Sequence, residues 1–208
     1  MELYEAIAKR RTIRDFTNKV VPEDVLERIL AAGLKAPTHN HARDWHFVVI
    51  REPERIAEVL RAVAGKAAEQ VEIVRNWKEA TECQRAMYGD ALPKQTQMLM
   101  ESKCLVIPLF GATDAMMHPQ GVTTLNPLAS IWCVIENMLL AATAEGLGVA
   151  LRIPLGTEEE EAYVLRQLGA PAGYKFPCYL AFGYPKSDAP VLKQYETPLA
   201  ERLHKERW

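Results

Sequence analysis

The sequence predicts an α+β fold in which a small mixed sheet is flanked by helices and a long apolar helix is buried at the centre. Two observations indicate this class. Short apolar runs rich in β-branched and aromatic residues, typical of strands, alternate with helical patterns that outnumber them and lie in uneven blocks. Residues 128–145 are apolar on nearly all sides, as expected of a helix inside a core. Because no internal repeat or clear boundary occurs, residues 1–208 are interpreted as one domain.

Helices are recognised along the chain by their first residues and their apolar stripes. Pro22 and Pro53 each stand at a first turn and are followed by acidic residues, which helix N-termini favour. The short N-terminal helix is expected to turn Leu3, Ile7 and also Ala6 towards the core. The predicted helices span residues 2–10, 22–33 (or to just before Pro37), 53–63, much of 65–101, 128–145 and 158–168.

Strands and breaks are indicated by aromatic and β-branched runs and by glycine and proline. Gly89 and Pro93 are expected to interrupt the helical segment before the second strand. Residues 111–126, rich in glycine, proline and threonine, predict a loop, and Gly146 is expected to end the long helix. The predicted strands span residues 45–50, 104–110, 149–153 and 176–182.

Composition narrows the classes of partner and compartment. The net charge is −2 and the pI is about 6.2, a balance that gives no attraction to nucleic acid or to an anionic membrane. The sequence contains no run of about eighteen apolar residues, so it predicts no membrane span. The charged N-terminus does not resemble a secretory signal. The four cysteines are scattered without a metal-binding spacing, so we expect a cytoplasmic protein with free thiols and no metal.

The first candidate site is a cluster of cations and a hydroxyl that follows the N-terminal helix. Arg10, Arg11, Thr12 and Arg14 form it. The planar fork of an arginine donates two hydrogen bonds to a phosphate, and a threonine adds a neutral donor. In an extended segment, residues 10, 12 and 14 share one face and can converge on one anion. The alternative is a solvated basic helix end, which the helix dipole favours.

The second candidate site is a donor-rich loop before the first strand, formed by Pro37, Thr38, His39, Asn40 and His41. A fixed turn that carries hydroxyl, imidazole and amide groups suits the edge of a heteroaromatic ring. One alternative is an ordinary turn. Another, a pair of metal-binding histidines, has less support because no Cys or carboxylate is arranged beside them.

Familiar catalytic motifs are missing from the sequence. It contains no nucleophile elbow, P-loop, H-E-x-x-H motif or evident acid–base pair. The Gly146–Gly148 turn follows a helix and precedes a strand, which is the reverse of the order in a dinucleotide-binding fingerprint. An enzyme of this kind would leave the chemistry to a bound cofactor.

Four segments, taken in order from Leu3 to about Pro185, resemble the nitroreductase family of flavin enzymes. The matching segments are Arg10–Phe16 (R-R-S-I-R-x-F in the family), Ala36–Thr38 with Trp45–Val49 (A-P-S, then W-x-F-V-V), Glu136–Ala142 with Gly146–Gly148, and Phe182–Pro185 (G-Y-P). Within the second of these segments the chain departs from the family pattern: His41 stands where the family has Asn, and Arg43 and Asp44 stand where it has Gln and Pro.

The resemblance implies an obligate homodimer with FMN at the subunit interface. Arg10, Thr12 and Arg14 match the positions that hold the phosphate, the ribityl chain and the pyrimidine edge, and Arg11 completes the cationic set. A cation beside N1 and the C2 oxygen would stabilise the anionic reduced flavin, which is the effect expected of Arg14. The tail from about residue 184 is expected to wrap the partner subunit.

The resemblance also assigns residues beyond the N-terminal cluster. The loop Pro37–His41 would reach the cofactor from the other subunit. Pro154, Leu155 and Gly156 would line the cofactor, the last two with their backbone beside flavin N5. Lys193 in the tail would add a further cation for the phosphate.

Together these features predict an FMN-dependent NAD(P)H oxidoreductase. It would reduce nitroaromatic, quinone or related acceptors by ping-pong hydride transfer at flavin N5, without a catalytic side chain. The alternatives are reductive dehalogenation or oxygen-dependent flavin chemistry on the same scaffold, and a flavin-binding protein without turnover whose pocket residues 111–126 block. The predicted partners are a second copy of the chain and a small-molecule electron acceptor, not nucleic acid or a membrane.

Overall fold

A computed structural model describes residues 1–63, 72, 76–154, 158–193 and 195–208. The helices are α1 (Leu3–Lys9), α2 (Glu23–Gly33), α3 (Pro53–Val59), α4 (Glu82–Ala91), α5 (Gln97–Glu101), α6 (Asp114–Met117), α7 (Asn126–Ala144) and α8 (Glu158–Leu168). The strands are β1 (Trp45–Ile50), β2 (Leu105–Gly111), β3 (Gly148–Arg152), β4 (Tyr174–Lys175) and β5 (Tyr179–Gly183). Short 3-10 turns cover His39–His41, Leu60–Ala62, Leu92–Lys94, Val122–Leu125 and Leu199–Glu201.

The strands form an antiparallel sheet in the order β1-β2-β5-β3, and β4 also pairs with β2. β1 and β2 pair along the whole of β1, beginning with Trp45 opposite Phe110. Parallel pairing within the described ranges is confined to an isolated bridge between Thr12 and Val149. The predicted α+β class is therefore confirmed, whereas the expected mixed sheet is an antiparallel sheet with one parallel bridge at its edge.

A helical layer covers each face of the sheet, because strand side chains alternate between two cores. On one face the strands pack against α2 and α7, and on the other they pack against α3, α5 and α8. The alternation is clearest in β2, where Val106 and Phe110 belong to the first core and Leu105 and Ile107 to the second. Both faces of the sheet are thus closed to solvent, and ligand sites fall at its edges and ends.

The segment after α1 runs along the β3 edge of the sheet. Thr12 pairs with Val149, and the Ile13 N–H donates to the Val149 carbonyl at 3.2 Å. Further on, Phe16 pairs with Pro185 beyond β5. Ile13 and Phe16 are buried, so this edge segment is fixed to the body of the domain. It carries the cationic cluster to the edge of the sheet.

The long helix α7 packs against α2, β2 and β3. By length and mean hydropathy (1.4), Val122–Ala144 would be long and apolar enough to cross a membrane, a test that a core helix also passes. The packing of α7 between α2 and the sheet identifies it as the predicted core helix. Its other face is open in the single chain, where Ala129, Cys133 and Glu136 are exposed. Gly146, with φ of 78°, follows the helix as predicted.

Three local predictions are wrong. Leu3 and Ile7 do not face the core, since they are 60% and 50% exposed, whereas Ala6 is buried as expected. Residues 111–126 are not a plain loop, because they contain α6 and a 3-10 turn. Gly89 lies inside α4 and does not interrupt it, whereas Pro93 does stand in a 3-10 turn between two helices.

Candidate functional site

The predicted cationic cluster lines a cavity of about 220 Å³ at the β3 edge of the sheet. The edge segment contributes three arginines and a threonine, α7 contributes Glu136, Leu139 and Thr143, and β3 contributes two apolar residues. We call it the cationic cavity. Its lining residues are Arg10, Arg11, Thr12, Arg14, Glu136, Leu139, Thr143, Val149 and Leu151.

Arg14 belongs to a network of four charges beside this cavity. Its Nη1 lies 3.0 Å from Asp90 Oδ2, and both side chains are only 15% exposed. Lys94 Nζ lies 2.9 Å from Asp90 Oδ1 and 2.7 Å from Asp15 Oδ2. The pKa of Lys94 is raised, chiefly by the hydrogen bond to Asp15 and further by Asp90. Arg14 Nε is buried without a hydrogen-bond partner, so the guanidinium keeps unused donor capacity.

The other two arginines are held more loosely. Arg10 Nε lies 3.6 Å from Glu136 Oε1 on α7. Arg11 Nη1 donates to the carbonyl oxygens of Ala8 and Arg10 at 3.0 and 2.6 Å. The structure therefore brings the four predicted residues to one partly enclosed cavity, which a freely solvated helix end would not form. Their role as cofactor ligands stays a prediction.

The donor-rich loop lines a second cavity of about 430 Å³, which we call the donor-loop pocket. Pro37 and His41 are exposed and do not line it. The lining residues are Thr38, His39, Asn40, Ala42, Asp44, Trp45, Phe110, Gly111, Ala112, Thr113, Pro127, Ser130, Ala172, Gly173 and Tyr174.

Hydrogen bonds fix the shape of this loop. The His39 N–H donates to Ser130 Oγ of α7 at 2.9 Å, and the Arg43 N–H donates to Thr38 Oγ1 at 3.1 Å. Asn40 has φ of 49°, a left-handed conformation in which Asn is several-fold enriched. The loop is thus a defined turn anchored to the core helix, with polar side chains left at the pocket.

A polar cluster that the sequence analysis missed stands in the donor-loop pocket. The Tyr174 hydroxyl donates to Asp44 Oδ1 at 2.6 Å and lies 3.3 Å from His46 Nε2. The hydrogen bond to Asp44 raises the pKa of Tyr174. A Cβ at Gly111 would lie 2.0 Å from Asp44 Oδ2, so glycine makes room for this carboxylate. The signal in the sequence was Asp44 itself, at a position where the family has proline.

The cationic cavity and the donor-loop pocket share no lining residue. One chain therefore does not bring its two candidate sites together. Pro154 is half-buried after β3, whereas Leu155 and Gly156 lie outside the described residues. Lys193 is exposed in the tail and does not line the cationic cavity.

A buried ion pair, also missed from the sequence, lies beneath the end of β3. Arg152 Nη1 is 2.5 Å from Glu160 Oε1, and these side chains are 3% and 0% exposed. The Tyr179 hydroxyl donates to the same Glu160 oxygen at 2.8 Å, and Arg152 Nε donates to Gln95 Oε1 at 3.2 Å. Burial is the main cause that raises the pKa of Tyr179. This network ties α8 to the strand that ends just before Pro154.

Cysteine and histidine residues do not form a metal site in the described part of the chain, which holds no group of three or more His, Cys, Asp or Glu able to bind a metal ion. The four cysteines are free. Burial raises the pKa of Cys104 to about 11 and raises that of Cys178 as well. Cys133, by contrast, is exposed on the open face of α7.

Comparison with known proteins defines the chain first as an oxidoreductase. More particularly, the model of the nitroreductase family matches residues 7–184, which is most of the chain. The chain belongs to the nitroreductase family. The resemblance read from the four sequence segments is therefore confirmed.

Individual relatives agree with this membership. A protein of Archaeoglobus fulgidus named "Putative NADH dehydrogenase/NAD(P)H nitroreductase" is 23% identical over 208 residues, covering 100% of this chain and 99% of its own. Iodotyrosine deiodinase of Nematostella vectensis is 26% identical over 202 residues, covering 96% and 73%. The structure of an iodotyrosine deiodinase bound to FMN and 3-iodo-L-tyrosine matches with a TM-score of 0.72 at 18% identity, covering 95% and 97%.

Proposed function

We propose that the protein is an FMN-dependent NAD(P)H oxidoreductase that passes electrons from NADH or NADPH to a nitroaromatic, quinone or related small acceptor. The observation that carries this proposal is the cationic cavity, where three arginines and a threonine meet an apolar surface. Family membership supports the flavin, and the name of the Archaeoglobus fulgidus relative supports the nicotinamide donor. The deiodinase solved with FMN has a similar fold.

The residues of the cationic cavity fit part of an FMN molecule. Arginine forks and a hydroxyl suit a phosphate and a polyol chain. Apolar surface for a flat ring comes from Leu139, Val149 and Leu151. Arg14 Nε is a buried donor without a hydrogen-bond acceptor in the part of the chain that the structure describes. A cavity of about 220 Å³ is smaller than the roughly 300–1,000 Å³ of complete ligand pockets. One chain would therefore enclose only part of the cofactor.

The protein's task in this proposal is to bind, orient and stabilise charge, while the bound flavin supplies the hydride chemistry at N5. Arg10 and Thr12 hold the phosphate and ribityl chain. Arg14 places positive charge beside the pyrimidine edge, which favours the reduced cofactor. Pro154 would border the ring, and no side chain of this chain needs to move a proton.

We further propose that residues 1–208 form one domain that assembles as a homodimer, in which the donor-loop pocket of one chain completes the cationic cavity of the other. The open face of α7 supports this, since an apolar helix leaves Ala129 and Cys133 exposed. Exposed apolar side chains of α1 and of the tail from about residue 184 support it as well. Those more than half exposed are Leu3, Tyr4, Val191, Tyr195, Leu199, Leu203 and Trp208.

The homodimer is tested by mass and by thiol labelling. Sedimentation equilibrium is expected to give twice the chain mass of 23.4 kDa. Cys133 is expected to react slowly with a maleimide in the native protein, because the partner covers it, whereas Cys83 serves as the half-buried internal control. A mass of one chain, together with fast labelling of Cys133, would refute the homodimer.

Flavin binding is tested by changing the cationic cavity. The double variant Arg10→Ala/Arg14→Ala is expected to lose FMN during purification, because it lacks two of the three guanidinium groups of the cavity. Arg28→Ala, which removes an exposed arginine paired with Asp24 and Glu145, is the matched control and should keep FMN. Full FMN retention by the double variant would overturn the assignment.

The electron donor is tested by an absorption spectrum of the FMN-loaded protein under anaerobic conditions. Addition of NADH or NADPH is expected to bleach the flavin absorbance, and re-oxidation by a quinone or nitroaromatic should restore it. If neither nucleotide bleaches the flavin while dithionite does, the NAD(P)H oxidoreductase proposal fails.

Reductive dehalogenation is a second candidate function, favoured by the deiodinase relative of 26% identity that spans 96% of this chain. The distinguishing assay uses dithionite-reduced protein and 3-iodo-L-tyrosine as the probe. Iodide release at a rate proportional to protein concentration would favour dehalogenation. No iodide above the level with free FMN, together with bleaching by NAD(P)H, would favour the first proposal.

We also propose a cytoplasmic location. Free thiols such as Cys104 and Cys178 accord with a reducing compartment. Cell fractionation is expected to recover the native protein with the cytoplasmic fraction, and recovery with membranes would contradict the proposal.

A further inference from the structure

We propose that Asp90 is a positioning residue that holds Arg14, reduces the positive charge of the cationic cavity and thereby lowers the reduction potential of the bound flavin. The inference rests on the proposed function, because it concerns the charge felt by FMN. It adds a residue outside the cavity that neither the family motifs nor the lining residues include.

Asp90 reaches Arg14 from a separate element. It lies in the last turn of α4, 76 positions along the chain from Arg14, and its Oδ2 accepts a hydrogen bond from Arg14 Nη1 at 3.0 Å. Both side chains are only 15% exposed, so solvent screens this pair less than a pair on the open surface. α4 itself buries no residue, so its position near the cavity depends more on such polar contacts than on apolar packing.

The ion pairs of Asp90 determine the net charge beside the cationic cavity. Its Oδ1 is also 2.9 Å from Lys94 Nζ, and Lys94 pairs in turn with Asp15 at 2.7 Å. The four groups sum to zero, so Arg14 enters the cavity as part of a neutral network rather than as an isolated cation. Among the described residues, Arg10 and Arg11 have no carboxylate partner at comparable distance, since the ion pair of Arg10 with Glu136 is 3.6 Å long.

The direction of the effect follows from the charge change on reduction. Taking up two electrons and one proton adds one negative charge to a flavin, wherever in the cavity that charge settles. Positive potential from Arg14 therefore favours the reduced over the oxidised cofactor, and a carboxylate that cancels this potential opposes reduction. A unit charge acting across roughly 10 Å at an effective dielectric constant of about 20 changes an equilibrium on the order of tenfold.

The experiment compares Asp90→Asn with Asp24→Asn in the FMN-loaded protein. Each variant removes one negative charge, but Asp24 is an exposed partner of Arg28 outside the network, where solvent screens its charge. The readout is the midpoint potential, from anaerobic equilibration with a reference dye. Asp90→Asn is expected to favour reduced over oxidised FMN about tenfold relative to wild type, which is a rise of about 30 mV for a two-electron couple. Asp24→Asn should change the ratio less than about twofold.

Asp90→Glu supplies a check that does not depend on removing the charge. It keeps a carboxylate in reach of Arg14, so its potential should return to within about 10 mV of wild type, which corresponds to a change of about twofold in the ratio. Equal potentials for Asp90→Asn and Asp24→Asn, or a lower potential for Asp90→Asn, would overturn the inference while leaving the proposed function intact. A wild-type protein that binds no FMN would overturn both.

Discussion

Replacing Glu160 by glutamine should destabilise the protein by about 3 kcal/mol, the lower end of the roughly 3–5 kcal/mol that follows loss of one partner of a buried ion pair. Glu160 is fully buried and accepts hydrogen bonds from Arg152 at 2.5 Å and from Tyr179 at 2.8 Å. Glutamine keeps the shape and one acceptor oxygen, but it leaves the buried guanidinium of Arg152 without a counter-charge. The charge, rather than the packing, sets the expected loss.

The assay is urea unfolding followed by circular dichroism, at one protein concentration and with excess FMN, since ligand and partner concentrations shift apparent stability. A loss of about 3 kcal/mol lowers the urea midpoint by roughly 1–3 M, for slopes of about 1–3 kcal/mol per M. The neighbouring substitution Glu161→Gln is the matched control. Glu161 pairs with Lys175 while partly exposed to solvent, so its loss should cost only about 0–1 kcal/mol.

A triple variant separates charge from packing in the same network. Arg152→Met, Glu160→Leu and Tyr179→Phe together replace the buried polar groups by apolar ones, which is expected to recover most of the stability lost in Glu160→Gln. The reasoning is refuted if Glu160→Gln lowers the free energy of unfolding by less than about 1 kcal/mol, or by no more than Glu161→Gln does. A buried guanidinium without a counter-charge should destabilise the protein by more than that.

Three further outcomes are expected elsewhere in the molecule. Gly148→Ala places a Cβ 2.6 Å from Cβ of the buried Ile13, so thermal unfolding should show a loss of about 1–3 kcal/mol, and an unchanged transition would contradict this close contact. Asp44→Asn removes the carboxylate whose hydrogen bond raises the pKa of Tyr174, so Tyr174 should titrate at lower pH. Ultraviolet titration measures this, with the Tyr174 signal identified by its loss in Tyr174→Phe, and an unchanged curve would exclude the hydrogen bond. Thr81→Ala removes the capping box of α4 at a cost of about 1 kcal/mol, so α4 amides should exchange several-fold faster, and unchanged exchange would refute the cap.

Sequence patterns that lie within a single helix or strand predicted the bounds of several elements. α8 begins and ends where its acidic first turn and helical pattern place it, at Glu158 and Leu168. β1 likewise follows its aromatic and β-branched run. The prediction for Leu3 and Ile7 was wrong because an apolar stripe shows which side chains share a helix face but not what packs against that face. In residues 111–126, single turns such as the one capped by Thr113 are too short for a periodic pattern to reveal.

The same distinction between neighbouring and distant residues applies to the candidate site. The residues from Arg10 to Arg14 are adjacent in sequence, so their chemistry was visible as a cluster. The partners of the site were not visible, because Asp90 lies 76 positions from Arg14 and Tyr174 lies 130 positions from Asp44. A sequence pattern states which side chains are available, but the pairings across the sheet depend on tertiary structure.

The two bridges that fix the edge segment also constrain when the chain can first acquire its cofactor. Thr12 pairs with Val149 and Phe16 pairs with Pro185. The residues that pair with the edge segment are therefore synthesised about 140 residues or more after it. At translation rates of about 5–20 residues per second, the arginines leave the ribosome roughly 7–30 s before β3 exists to seat them. Under the proposed function, a nascent chain that lacks β3 lacks part of the FMN site, so we expect FMN to bind only once the polypeptide is nearly complete.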